Sequence, residues 1–232
     1  MAGTRHRAVT RRRGPAARQV VAALASMAIV TGLLGLMGAG GWFFWTRHTG
    51  SQKASNTVEA LRQEWSQAPP VARAVTGVSR KAAVSVPIHG RAFAIMTVPR
   101  FGAHWQMPVF EGTGTNVLRG GVGHYARTAL PGEIGNFAVA GHRTTWARPF
   151  RDVDHLKTGD RVIVQTRQAR LTYRVTGHEI VRPGDTDVLE PVPGQPGAVP
   201  DQARLTLTTC HPEYSAWERW VVHAVLVQTE PQ

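Results

Sequence analysis

The 232-residue chain holds a single cysteine, Cys210, at the end of the run RLTLTTC over residues 204–210. Alternation along a strand sends Leu205 and Leu207 to one face and Thr206, Thr208 and Cys210 to the other. His211 and Pro212 follow, so the thiol stands at a strand end beside an irregular loop. One cysteine closes no internal disulfide and cannot alone furnish a four-ligand zinc site. The spacing leaves two readings open: an inert, small buried hydrophobe, or a nucleophile. A nucleophilic cysteine needs a route to the thiolate and a proton-handling partner. It also needs a cation or N–H groups where a tetrahedral oxyanion would form. Of ten histidines, His142 is the best placed, because it ends the apolar run NFAVAGH at 136–142. His178 and His223 lie inside strand-like runs and read as packing or edge positions. Arg219 opens the run that follows the Cys210 loop, so a hairpin would bring it toward the thiol. Its plainer alternative is a surface charge or an ion pair with Glu218 or Asp201.

The elements that must position these residues are mostly short strands. Runs at 91–98, 136–142, 161–166, 169–181, 204–210 and 219–227 are rich in β-branched and aromatic residues. Turn-formers separate them, as at Thr158-Gly159-Asp160 and Pro183-Gly184-Asp185. Such a series predicts an all-β barrel or sandwich, with one short turn or helix over 150–157. Residues 190–201 carry four prolines and two glycines and read as an irregular loop, where binding commonly resides.

Three separated stretches resemble the sortases, the surface transpeptidases of Gram-positive bacteria: GHYARTALPGEIGNFAVAGHR (123–143), AVAGHRTTWARPF (138–150) and LTLTTCHPEYSAWERWVV (205–222). The TLTTC form, with an arginine nine residues beyond the cysteine, resembles class E of high-GC actinobacteria, and the similarity runs over about residues 88–228. The resemblance implies a closed β-barrel of about eight strands with short helices. It matches Cys210 to the family nucleophile, His142 to its histidine and Arg219 to its arginine. Thr209 resembles the residue that helps bind substrate or the oxyanion, and Tyr125 a tyrosine that contacts the substrate motif. Trp146 stands where relatives often carry Tyr. His211 adjoins the nucleophile but points elsewhere if the strand continues, so His142 remains the preferred partner. The implied reaction cleaves a Leu-Ala-x-Thr-Gly-like signal between Thr and Gly and joins the Thr carboxyl to an amine. Implied partners are surface proteins bearing a C-terminal sorting signal and a peptidoglycan or lipid II amine. A pilin-polymerising sortase, a hydrolytic cysteine peptidase and a non-enzymatic β-barrel binding module are the alternatives.

The N-terminal part has a separate character. Residues 20–45 contain no charge over 26 positions and are preceded by six arginines. About 20 helical residues cross a bilayer core, so this run suffices, with Trp42 and Trp45 at its outer end. It exceeds the roughly 7–15 apolar residues of a cleaved signal, which favours a retained anchor. The arginines predict a cytoplasmic N-terminus and an extracellular remainder. The expected division is a basic arm at 1–19, an anchor at 20–45, a polar stalk at 46–80 and a catalytic domain at 81–232. Within the stalk a helical piece is expected at 56–67, with a stop at Pro69-Pro70.

The formal charge of +12 is uneven. From residue 81 onward sixteen basic residues face thirteen acidic ones, and no basic stripe with interleaved aromatics occurs there. No nucleic-acid role is expected. No cofactor or metal is called for either. Asp152, Asp154 and Asp160, like Asp185 and Asp187, read as turn and cap acids because they lack a calcium-loop pattern.

Overall fold

The computed structural model describes residues 15–68 and 87–232. The described residues fall into two units that part between Phe44 and Trp45. The basic arm up to residue 14 and the stretch 69–86, with the expected Pro69-Pro70 stop and part of the expected domain start, lie outside them.

A single helix, α1 (Pro15–Gln67), runs through both units. Over Ala22–Gln67 it contains a wholly exposed apolar window of mean hydropathy 1.9, long and apolar enough to cross a membrane. It is the one such helix among the described residues. Beyond Phe44 the helix changes character. Thr46, Gly50, Ala54, Val58 and Leu61 form a buried stripe at three- and four-residue spacing, one face of a helix. Val58 and Leu61, with half-buried Trp65, pack on Ala92, Ile95, Phe110 and Val117. The expected helical piece at 56–67 is thus the end of a longer helix. Residues 46–67 are not a free spacer: they belong to the same compact unit as the strands. Small residues dominate the first half of the stripe, so the sequence there reads as polar and uncommitted.

The strands are β1 (Ala92–Thr97), β2 (Gln106–Glu111), β3 (Val122–His124), β4 (Gly135–Ala140), β5 (Arg161–Gln165), β6 (Ala169–Val181), β7 (Ala203–His211) and β8 (Glu218–Pro231). They close into one barrel in the order β1-β2-β3-β4-β7-β8-β6-β5. Six coincide with the runs legible in the sequence. β2 and β3 do not, for physical reasons. β2 carries Pro108, which has no ladder N–H. β3 lies in a glycine-rich stretch because the backbones press together: a Cβ on Gly123 would collide with the Gly112 carbonyl oxygen. β2 pairs with β3 in parallel, as does β4 with β7, so neither pair could be found as a hairpin.

Helical structure after α1 is brief: one turn, α2 (Thr115–Leu118), and 3-10 turns at Pro99–Phe101, Val153–His155 and Thr186–Leu189. The turn expected over 150–157 is the second of these 3-10 turns. Inward residues of every strand fill the barrel, with Phe137, Phe150, Tyr173, Leu205 and Leu207 essentially solvent-free. Burying each such side chain stabilises the fold by roughly 1.5–3 kcal/mol. Tyr173 keeps its hydroxyl satisfied by accepting a bond from the Gly132 N–H at 2.8 Å.

Candidate active site

The site grows from the register of three neighbouring strands. β4 runs parallel to β7 with Ala138 opposite Thr206 and Ala140 opposite Thr208. Gly141 extends this match, donating its N–H to the Thr208 carbonyl at 3.1 Å. The Thr209 hydroxyl in turn donates to the Gly141 carbonyl at 2.7 Å. β4 ends at Ala140, so His142 follows the strand, one residue after the bonded Gly141. On the other side β8 runs antiparallel, and Cys210 pairs with Arg219.

Alternation assigns the face. Leu205 and Leu207 lie in the core, as do their register partners Phe137 and Val139 on β4 and Ala224 and Val222 on β8. Cys210 and Arg219 have the opposite parity and belong to the outer face. The thiol is free and half-buried. His142 is also half-buried, and its Nε2 has no hydrogen-bond partner among the described residues. Burial lowers its pKa below the ordinary histidine value, and the positive charge of Arg119 lowers it further. Arg119 follows α2 and stands 4.5 Å over the ring of Trp146. Arg219 donates through Nη1 to the carbonyls of Ala216 at 3.1 Å and Glu218 at 2.9 Å. It forms no ion pair with Glu218 or Asp201; Asp201 is bound to Arg204 instead.

Tyr125 reaches the same wall from the loop after β3. Its hydroxyl is 3.0 Å from the Thr208 hydroxyl, two residues before the thiol on the outer face. It also lines a cleft of about 610 Å³ with Arg127, Thr186, Leu189, Glu190 and Pro191. The proline-rich 190–201 loop is fastened over the wall by Asn136, whose Nδ2 donates to the carbonyls of Val188 and Glu190 at 3.1 Å each. Thr209 differs from the other sequence candidates. Its side chain is buried, has inward parity and spends its hydroxyl on Gly141, so it does not face the thiol's side.

Several polar residues near the site were not singled out in the sequence. Glu111 and His124 are buried and 2.7 Å apart, and His124 Nε2 lies 3.1 Å from the Ala129 carbonyl and 3.0 Å from the Thr128 hydroxyl. This knot braces the turn that starts with Tyr125. Arg143, directly after His142, is buried and bonded to His211, directly after Cys210. β7 does continue through His211, so that imidazole faces away from the thiol, as strand alternation requires. The signal available for both pairs was adjacency to a candidate residue.

No group of three or more metal-ligating side chains is gathered among the described residues. Asp154 faces Arg143, Asp160 binds Arg100, and the Asp185 carboxylate accepts the Arg182 N–H at 2.9 Å.

A family model described as "Sortase domain" matches residues 96–227. Sortase SrtE1 of Streptomyces coelicolor is 31% identical over 96% of this chain, which spans 62% of that relative's length. Sortase SrtE2 of the same organism is 28% identical over 95% of this chain and 87% of the relative. The structure of sortase E from Streptomyces avermitilis superposes with a TM-score of 0.57 at 46% identity, covering 62% of this chain and 93% of that one. With the closed eight-stranded barrel and the matched family domain, the chain belongs to the sortase family, and within it resembles the class E sortases of actinobacteria.

Proposed function

We propose that the protein is a membrane-anchored cysteine transpeptidase that cleaves a Leu-Ala-x-Thr-Gly-like sorting signal between Thr and Gly and transfers the Thr carboxyl to a cell-wall amine. The observation that supports this reading is the register pairing of Cys210 with Arg219, beside the bonds that hold Gly141, the residue before His142, against Thr208 and Thr209. The Cys210 thiolate attacks the Thr carbonyl carbon, forming a carbon–sulfur bond and a tetrahedral oxyanion. Arg219 and neighbouring backbone N–H groups hold that charge. His142 as imidazolium gives its proton to the departing glycine nitrogen, the carbon–nitrogen bond breaks, and a thioester remains. An incoming amine attacks the thioester, His142 takes its surplus proton, and the thiolate leaves. Atoms and charges balance without an external oxidant or metal.

Tyr125 contacts the residue of the signal where Ala replaces the Pro of other signals, standing at the cleft on the same face as the thiol. Thr209 serves substrate binding indirectly, by holding Gly141 and so His142 against β7. The apolar part of α1 serves as the anchor, with the arginine-rich end in the cytoplasm and the barrel outside. The clients are surface proteins with a C-terminal sorting signal, and the acceptor is a peptidoglycan or lipid II amine.

The test incubates the full-length protein in detergent with Leu-Ala-x-Thr-Gly and Leu-Pro-x-Thr-Gly peptides, with and without an amine, and follows masses. The expected result is an acyl adduct on Cys210, a transpeptidation product only when amine is present, and neither with Cys210→Ala. Absence of adduct and cleavage for both peptides rejects the reading.

A further inference from the structure

Arg143 is a buried charge that the chemistry above leaves unused. It has 5% of its surface exposed, and its Nη2 lies 3.1 Å from Asp154 Oδ1. Its Nε is 3.9 Å from Glu213 Oε1, too long for a hydrogen bond, and has no other partner among the described residues. The guanidinium centre stands 5.8 Å from the Trp220 ring centroid. Nη1 is 3.1 Å from His211 Nδ1. One planar cation thus touches the end of β7, the 3-10 turn at Val153–His155, the β7–β8 loop and β8.

The chain positions give this cluster its meaning. Arg143 adjoins His142, and His211 adjoins Cys210. The residues that immediately follow the two proposed to react are thus bonded to each other. An arginine can only donate, so His211 Nδ1 must be the acceptor and carry no proton. The His211 ring is also held against Trp220 at 5.3 Å, and Trp220 stacks on His178 at 4.7 Å.

Resting on the proposed transpeptidase reading, we propose that Arg143 and His211 are positioning residues of this active site, whose mutual hydrogen bond sets the spacing of His142 and Cys210. The bond needs His211 Nδ1 as its acceptor, and Arg143 is held from its other sides by Asp154 and the ring of Trp220.

The test measures kcat and KM for the Leu-Ala-x-Thr-Gly peptide plus glycinamide between pH 5 and 9, using full-length protein in detergent. The wild type is compared with His211→Ala, His211→Asn and Arg143→Lys, with thermal melting followed by circular dichroism. His211→Ala is expected to lower kcat about 10- to 100-fold with KM within about twofold, the loss typical of small misplacement of reacting groups. Asn offers Oδ1 where the histidine offers Nδ1, so His211→Asn restores kcat to within about threefold of wild type. Arg143→Lys, a point charge that cannot span the same partners, behaves like His211→Ala. Wild-type kcat in His211→Ala, or a His211→Asn variant no better than His211→Ala, overturns the inference. A wild-type protein that forms no acyl adduct refutes the proposed function instead, so the two failures are distinct.

Discussion

His142 combines two influences that push its pKa the same way, burial first and the Arg119 cation second. Removing the cation as Arg119→Gln takes away one of them, and the pKa rises toward the ordinary histidine value. The limb of kcat/KM against pH that reports His142 is therefore expected to move to higher pH, since kcat/KM reports ionisation in the free enzyme. An unmoved limb would show that Arg119 does not act on His142. The same lowered pKa has a folding consequence. The unfolded chain takes up the proton first, so stability contributed here is lost as pH falls through the ordinary histidine range and levels off below the folded value. Tyr125 offers a second residue-scale check. Tyr125→Phe removes the bond to the Thr208 hydroxyl, worth about 1 kcal/mol or roughly fivefold in an equilibrium. KM for the Ala-containing peptide is expected to rise by about that factor with kcat little changed. Steady-state kinetics on the Ala- and Pro-containing peptides measures it, and equal effects on both would remove Tyr125 from selectivity.

α1 is the element whose role exceeds its sequence signal. Its part beyond Phe44 covers Ala92, Ile95 and Phe110 on the outside of the barrel. Leu61, 5% exposed, sits in that seam. Leu61→Ala is expected to destabilise the compact unit by about 2–5 kcal/mol, read as a lowered denaturation midpoint at unchanged slope. Gly50 marks a second contact, because a Cβ there would stand 2.6 Å from the backbone nitrogen of Ala147. Ala147 lies on the turn that leads from His142 to Phe150, whose N–H closes on the His142 carbonyl at 3.2 Å. Gly50→Val must displace either the helix or this turn. Its expected signature is a fall in kcat larger than its effect on the melting temperature accounts for. A variant with unaltered kcat would leave α1 with a packing role alone.

At the scale of the whole molecule, the barrel is one closed sheet around one core, and Tyr173 lies within it with no exposed surface. Burial drives its phenol pKa up well beyond the ordinary range, with the Gly132 N–H only partly opposing that rise. A raised pKa leaves the full contribution in place below the unfolded value, about 10, and removes it as pH rises beyond. Urea unfolding at pH 9 and pH 11 is expected to show a loss at the higher pH that Tyr173→Phe diminishes. Equal dependence in both proteins would place the alkaline weakness elsewhere.

Features that depend on near neighbours along the chain were legible in the residues alone. Alternation placed Leu205 and Leu207 inward and Cys210 outward, and the β-branched runs located six strands. The charge-free 20–45 segment, with arginines before it, marked a helix apolar enough for a bilayer. Family-like stretches around His142, Cys210 and Arg219 pointed to the site. Tertiary structure alone decided what depends on separation in sequence or on backbone proximity. Tyr125 meets Thr208 across 83 residues, and Arg143 meets His211 across 68. No local pattern encodes such meetings. β3 escaped notice because its Gly123 answers to the Gly112 backbone pressed against it, a contact invisible in the residues themselves. The stripe of α1 escaped because Gly50 and Ala54 bury closely without being strongly apolar. The lone cysteine marked the place where chemistry is expected. The antiparallel pairing of β7 with β8 then brought Arg219 opposite it, and the parallel pairing of β4 with β7 set the strand that leads to His142 alongside, because strand register couples residues far apart in the chain.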